Sequence, residues 1–307
     1  MLEKNKKKMT QVYAFLAFIM IAMPVVANNY VMNTFSDVFF YVVVCLGLNI
    51  VVGYAGLLDL GYAAFFAVGA YTTAILTSTF GMNFWLTIPF AILFSAVSGV
   101  IIGGPTLRLR SDYLAIVTLG FGEIVRITAR NLKITGGSGG IYGIERPSFF
   151  GIEMSGNIHY YYAFLVLAFL AIFISHRLQY SRLGRAWQYV REDEDAAEAM
   201  GINRVRVKLA AYVIGAVFGG VAGSFFAVKM TAISPETFMF TQSILILLGV
   251  VIGGMGKIPG VICGAFFLVL FPEIFRFIGD MRLLAFAGIM LILMLKRPQG
   301  IWPERLG

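Results

Sequence analysis

The chain has 307 residues, 59% of them hydrophobic and only 13% charged, with a mean hydropathy of +0.83 and a formal net charge of +8. Soluble domains carry about 25% charged residues, so a water-soluble globular protein is excluded. A basic balance in so apolar a chain points away from nucleic acid and toward the excess of Lys and Arg that marks the cytoplasmic segments of membrane proteins.

Lys4, Lys6, Lys7 and Lys8 precede the apolar run Val12–Ala27. That pattern fits either a secretory signal, with Val25-Val26-Ala27 as a small-residue cleavage site, or an uncleaved first span. The span is the favoured reading, because apolar character continues through Val31. Runs of about 17–25 apolar residues match the thickness of a bilayer. They fall at 11–32, 36–53, 60–80, 84–104, 112–131, 159–177, 207–228, 238–254, 258–278 and 281–296. The expectation is an all-α polytopic membrane protein of about ten transmembrane helices, with 36–59 and 112–131 as candidates for broken or re-entrant helices. Ten spans put both termini on one side. With the amino end in the cytoplasm, the inner segments and their edges hold 17 of the 24 Lys and Arg residues. That bias assigns the basic terminus 1–10 and the charged loop 180–206 to the cytoplasm. It makes 132–158 the longest extracytoplasmic loop, and its Thr135-Gly-Gly-Ser-Gly-Gly-Ile-Tyr-Gly143 stretch shows neither strand nor helix patterning. No polar segment is long enough to fold alone, so residues 1–307 read as a single transmembrane domain.

The loop 180–206 is the longest strongly charged stretch. From Leu183 to Met200 it lacks Pro, has Gly only at position 184, and is rich in Ala, Glu and Arg, so it reads as one helix. Trp187, Val190, Ala197 and Met200 share a face, and Gly201 follows where a left-handed cap suits Gly. Within the spans, Gly215, Gly219 and Gly223 recur every four residues, as do Gly249 and Gly253, and Gly260 and Gly264. That spacing lets helix backbones approach closely in lipid. Gly53-Tyr-Ala-Gly56 is faintly echoed by Gly253-Gly-Met-Gly256, each in a short inner connection.

Catalytic chemistry is sparse. His159 and His176 stand about 25 Å apart along one helix and cannot share a metal, and Cys45 and Cys263 lie in apolar runs without a partner pattern. Gly253-Gly-Met-Gly-Lys257 lacks the Ser or Thr of a phosphate loop. Ionisable residues inside spans are expensive and mark function; the clearest are Glu123 and Arg126, three apart and able to pair. Asp59 and Lys229 lie at span edges, within reach of the interface. Asn49, Thr118, Glu123 and Gln242 are the candidates for lining a pathway, as polar residues within apolar spans.

The segment Gly184-Arg-Ala-Trp187 with Arg191-Glu-Asp-Glu-Asp-Ala-Ala-Glu-Ala-Met-Gly-Ile202 closely resembles the cytoplasmic loop of the permease subunits of branched-chain amino-acid ABC importers of the LivM type. Asp195-Ala-Ala-x-x-x-Gly201 fits the importer-permease pattern E-A-A-x-x-x-G with Asp for Glu, although the downstream Ile-x-Leu-Pro of that pattern is absent. Gly53-Tyr-Ala-Gly-Leu-Leu-Asp-Leu-Gly61, Leu107–Ala115 with Thr118-Leu-Gly120, Gly253–Gly256 and Lys296–Ile301 extend the resemblance, in order, over nearly all the chain from residue 47.

The resemblance implies the transmembrane half of an ATP-driven importer located in the inner membrane. Its partners would be a second, similar permease, two cytoplasmic ATPases and an extracytoplasmic binding protein. The chain itself would bind no cofactor, ATP and Mg²⁺ residing in the ATPases, and it would contact lipid but no nucleic acid. A coupling helix at 185–201 would sit in an ATPase groove and shift the spans 159–177 and 207–228. Ala196, Ala197 and Gly201 would allow close approach there, and Arg185, Arg191, Glu192, Asp193, Asp195 and Glu198 would fix its register. Related permeases carry urea or short amides, and an ion-coupled carrier using Glu123 is the alternative of a different class.

Overall fold

The computed structural model describes residues 20–25, 27–106, 111–149, 152–154, 156–279, 281–297 and 300–301. Its helices are α1 (Asn29–Asn49), α2 (Ala63–Ser78), α3 (Phe84–Thr106), α4 (Ser111–Asn131), α5 (Asn157–Gln179), α6 (Arg182–Glu192), α7 (Glu194–Ala199), α8 (Arg204–Met230), α9 (Phe240–Gly253), α10 (Ile258–Ile274) and α11 (Met281–Lys296). Among the described residues, six helical segments are long and apolar enough to cross a membrane: Asn29–Tyr54, Phe84–Gly104, Asn157–Gln179, Arg204–Met230, Pro235–Gly253 and Ile258–Phe277. A helix that is apolar all round either lies in the interior or spans lipid. α1 is the interior one, buried almost without interruption from Val38 to Tyr54 and packed against α5, α8, α9 and α10.

The glycine stripes place the backbones where sequence spacing puts them. On α8, Gly215 faces Gly47 and Val51 of α1, while Gly219 and Gly223 face Phe65, Phe66 and Ala70 of α2. Gly249 and Gly253 of α9 meet Gly264 and Gly260 of α10 in the same way. A side chain at these contacts would push the helices apart, and in lipid no hydrophobic force would bring them back.

Several boundaries differ from the sequence expectation. The run 11–32 is not one helix: its described part ends in a 3₁₀ turn at Met23–Val25, and a new helix opens at Asn29. Pro24 supplies the break by removing a backbone donor. α1 is longer than the expected 36–53 and unbroken, closing with a π turn over Ile50–Tyr54. The irregular stretch follows it. The span expected at 60–80 is helical only from Ala63, and Ala55, Leu57 and Asp59 before it are buried. Asp59, expected to reach the interface, is 1% exposed.

Irregular backbone is tolerated inside a membrane protein only where other groups satisfy it. Asp59 Oδ1 accepts from Gly61 N (2.8 Å), Thr118 Oγ1 from Leu60 N (3.1 Å), and Ser243 Oγ of α9 from Ala63 N (2.9 Å). Helix α4 is continuous. The glycine-rich loop, expected to be unpatterned, is pinned instead. Its Ile141–Tyr142 (β1) pairs antiparallel with Ala232–Ile233 (β4), and Ser148–Phe149 (β2) pairs with Ile152–Glu153 (β3). The basic terminus 1–10, Arg108, Arg110 and residues 302–307 lie outside the described residues.

Candidate functional site: the charged hairpin

The residues 180–206 form two helices where sequence patterning suggests one. Ser181 opens α6, its hydroxyl accepting from Gly184 N at 3.1 Å. At Asp193 the backbone is extended (φ −154°, ψ 113°), and its carboxylate accepts from Asp195 N (2.9 Å) and Ala196 N (3.0 Å). Asp at an N-cap satisfies two orphan donors of a new helix, which is why the chain restarts there rather than continuing. Gly201, at φ +84°, closes α7 in the left-handed conformation expected of it.

The inward face of the hairpin is welded to the bundle. Trp187 is 0% exposed; its indole donates to Val207 O at 2.7 Å and its ring stacks on Tyr54 with centroids 6.4 Å apart. Val190 and Ala197 are also buried. Ala197, expected to admit a partner, is therefore packed against its own chain, and its neighbour Ala196 is exposed in its place. Lys208 of α8, only 2% exposed at its side chain, pairs with Glu194 at 2.5 Å. Arg204 pairs with Asp195 (3.3 Å) and Glu198 (3.1 Å). Arg185 donates to Tyr180 O (3.1 Å), and Arg191 reaches Gly53 O at 2.6 Å. The charges expected to set register with a partner are thus largely engaged within the chain.

Glu192, Leu183, Tyr189 and Met200 face outward. Met200, expected on the apolar face with Trp187, is 84% exposed: α7 ends at Ala199, and Met200 stands at its cap while Ala197 stays buried.

Among the pathway candidates, Asn49 is fully buried and its Oδ1 accepts from Gly256 N (2.8 Å). Thr118 is equally buried. Gln242 Oε1 accepts from the Tyr41 hydroxyl at 3.2 Å. Glu123 and Arg126 pair at 2.8 Å, as their spacing suggests, and Arg126 also approaches Glu236 (3.5 Å). The segment 54–57, the hairpin, Gly253–Gly256 and Ile301, whose N–H donates to Ile252 O at 2.7 Å, gather at one end of the bundle. At the other end Lys229, expected to reach the interface, pairs with Asp37 at 2.5 Å and is 8% exposed at its side chain. Sequence reasoning missed this pair because its members are 192 positions apart. Among the described residues no cluster of three His, Cys, Asp or Glu is placed to hold a metal.

Multiple apolar helices around one buried span, with a charged hairpin folded onto their ends, define a multi-pass helical membrane protein. Residues 30–295 match the family described as "Branched-chain amino acid transport system / permease component", and the chain belongs to that family. It is 42% identical to the "High-affinity branched-chain amino acid transport system permease protein LivM" of Salmonella typhimurium, over 94% of this chain and 73% of that protein. It is 41% identical to the protein of the same name from Escherichia coli, over 92% and 72%. A "High-affinity branched-chain amino acid transport system permease protein LivH" of Salmonella typhimurium is 26% identical over 74% of this chain and 79% of its own length. No solved structure matches the chain.

Proposed function

We propose that the chain is the permease subunit of an ATP-driven importer of branched-chain amino acids, resident in the inner membrane and driven through the hairpin α6–α7. The observation that carries this reading is the two-faced hairpin. Its inner face is fixed to α1 and α8 by Trp187, Arg191, Lys208 and Arg204, while Leu183, Tyr189, Glu192 and Met200 are left for another protein. A rigid lever needs both a welded side and a free side. Met200, with Ala196 and Gly201 beside it, is the apolar knob for a groove in a cytoplasmic ATPase, and exposed charges such as Glu192 set register and encounter rate.

In this assembly the chain pairs with a second, similar permease. Two ATPase subunits bind ATP and Mg²⁺ and hydrolyse ATP, and an extracytoplasmic protein delivers the amino acid. The chain is itself no enzyme. Ten spans with both termini cytoplasmic remain the proposed topology. The gathering of 54–57, 182–206, 253–256 and 301 at one end supports it, since the charge bias assigns all of them to the inner side. Gln242, partly exposed, is the proposed pathway residue; Glu123 is held in its pair with Arg126, and Asn49 and Thr118 act by holding α1 and the largely buried 55–62 segment in place.

Reconstitution into proteoliposomes tests the proposal. Leucine, isoleucine or valine should accumulate when the chain is assembled with its second permease, the ATPases, the binding protein and ATP, and omission of the ATPases should abolish uptake. Accumulation by the chain alone, without ATP, would overturn the reading.

A further inference from the structure

The two glycine clusters that echo each other in the sequence, Gly53–Gly56 and Gly253–Gly256, come together beneath one side chain of the hairpin. Arg191 Nη1 donates to Gly53 O at 2.6 Å. A Cβ on Gly256 would stand 3.2 Å from the same nitrogen and 3.3 Å from Gly53 O. Gly56, at φ +69°, lies so close that a Cβ there would be 2.8 Å from Arg191 Cγ and 3.3 Å from Arg191 Cβ. Both clusters are therefore glycine where the arginine passes over them.

The backbone it grips is unusual. Gly53 belongs to the π turn that ends α1, where carbonyls lack the regular helical partner. Asn49, one turn earlier, binds Gly256 N, so α1 and the turn between α9 and α10 are already one unit. A guanidinium at the converging carboxy-terminal ends of α1 and α9 also meets the negative poles of both helices.

The other polar ties of the hairpin stay within the loop or run to its flanking helix α8. Trp187 binds Val207, Lys208 binds Glu194, and Arg204 binds Asp195 and Glu198. These make α6, α7 and α8 one body. The bond from Arg191 leaves that body for a span far away in sequence, and it is directional where the Trp187–Tyr54 stack can slide. From this geometry we infer that Arg191 is the positioning residue that transmits movement of the hairpin to α1 and to the α9–α10 turn, so that hydrolysis is converted into transport. The inference rests on the permease reading above.

The test is the ratio of solute moved to ATP hydrolysed in the reconstituted complex. Arg191→Ala should hydrolyse ATP at nearly the wild-type rate while that ratio falls about tenfold, the loss expected for one charge-assisted hydrogen bond. A second variant guards against misassembly. With Cys45 and Cys263 replaced by Ala, Gly56→Cys with Arg191→Cys places two thiols at positions whose Cβ atoms lie 3.3 Å apart, near the ~3.5–4.5 Å of a disulfide. The reduced complex should be uncoupled, and the same sample should regain its ratio on oxidation and lose it again on reduction.

Failure of the disulfide to form, an unchanged ratio in Arg191→Ala, or hydrolysis falling in step with uptake would each overturn the inference. If the cysteine-free parent complex shows no ATP-dependent uptake, it is the permease reading that fails. If the parent couples and the ratio ignores Arg191, only the transmission role fails.

Discussion

The two ends of the bundle use charge differently. At the hairpin end the ion pairs are local in sequence, joining Lys208 to Glu194 and Arg204 to Asp195 and Glu198. At the opposite end the local pair Glu123–Arg126 is joined by pairs between distant spans, Asp37 to Lys229 and Arg126 to Glu236. Local pairs harden one element into a body that moves as a whole. Distant pairs latch separate elements, and such latches can open without unfolding anything. The hairpin end is thus built as a lever and the far end as a set of clasps.

The sharpest way to break that contrast is at its stiffest point. Trp187→Ala should lower the stability of the purified protein by about 3–5 kcal/mol, through the large cavity it leaves and the lost indole hydrogen bond, read by denaturation in detergent. A loss below ~1 kcal/mol would mean that the hairpin is not welded. Lys229→Ala should lower stability by about 3 kcal/mol by stranding Asp37, whereas Lys229→Met with Asp37→Leu should recover most of it. Recovery failing in the double variant would show that the pair does more than latch.

Met200→Arg touches nothing inside the chain, so unfolding should shift by less than ~0.5 kcal/mol. Its affinity for the ATPase should nevertheless fall about tenfold, measured by binding in detergent. Smallest of all is Glu123→Gln. Arg126 retains Glu236, so the change in stability should stay under ~1 kcal/mol and uptake should remain near wild type. Complete loss of uptake in a fully assembled complex would move Glu123 from a structural pair into the transport pathway.

Much of this was legible in the sequence because it depends on local pattern. The glycine stripes, the Glu123–Arg126 pair and the left-handed Gly201 all follow from local spacing, whereas the span boundaries were only partly legible. The helix break at Asp193 was signalled by an Asp that can cap, but Ala and Glu on either side favour helix throughout, and the cap won. The largely buried 55–62 segment was not legible. Its stability depends on Thr118 and Ser243, donated by α4 and α9 from far along the chain. The inward commitment of Arg191 was hidden for the same reason, since an arginine beside Glu192 and Asp193 reads as surface until the glycines beneath it are seen.

The claim everything depends on is that the free face of the hairpin belongs to an ATPase. A photo-cross-linking amino acid at Met200 in the assembled transporter measures that directly. The account predicts an adduct with the ATP-hydrolysing subunit. An adduct with the extracytoplasmic binding protein, or none with the ATPase in a complex that transports normally, would contradict it.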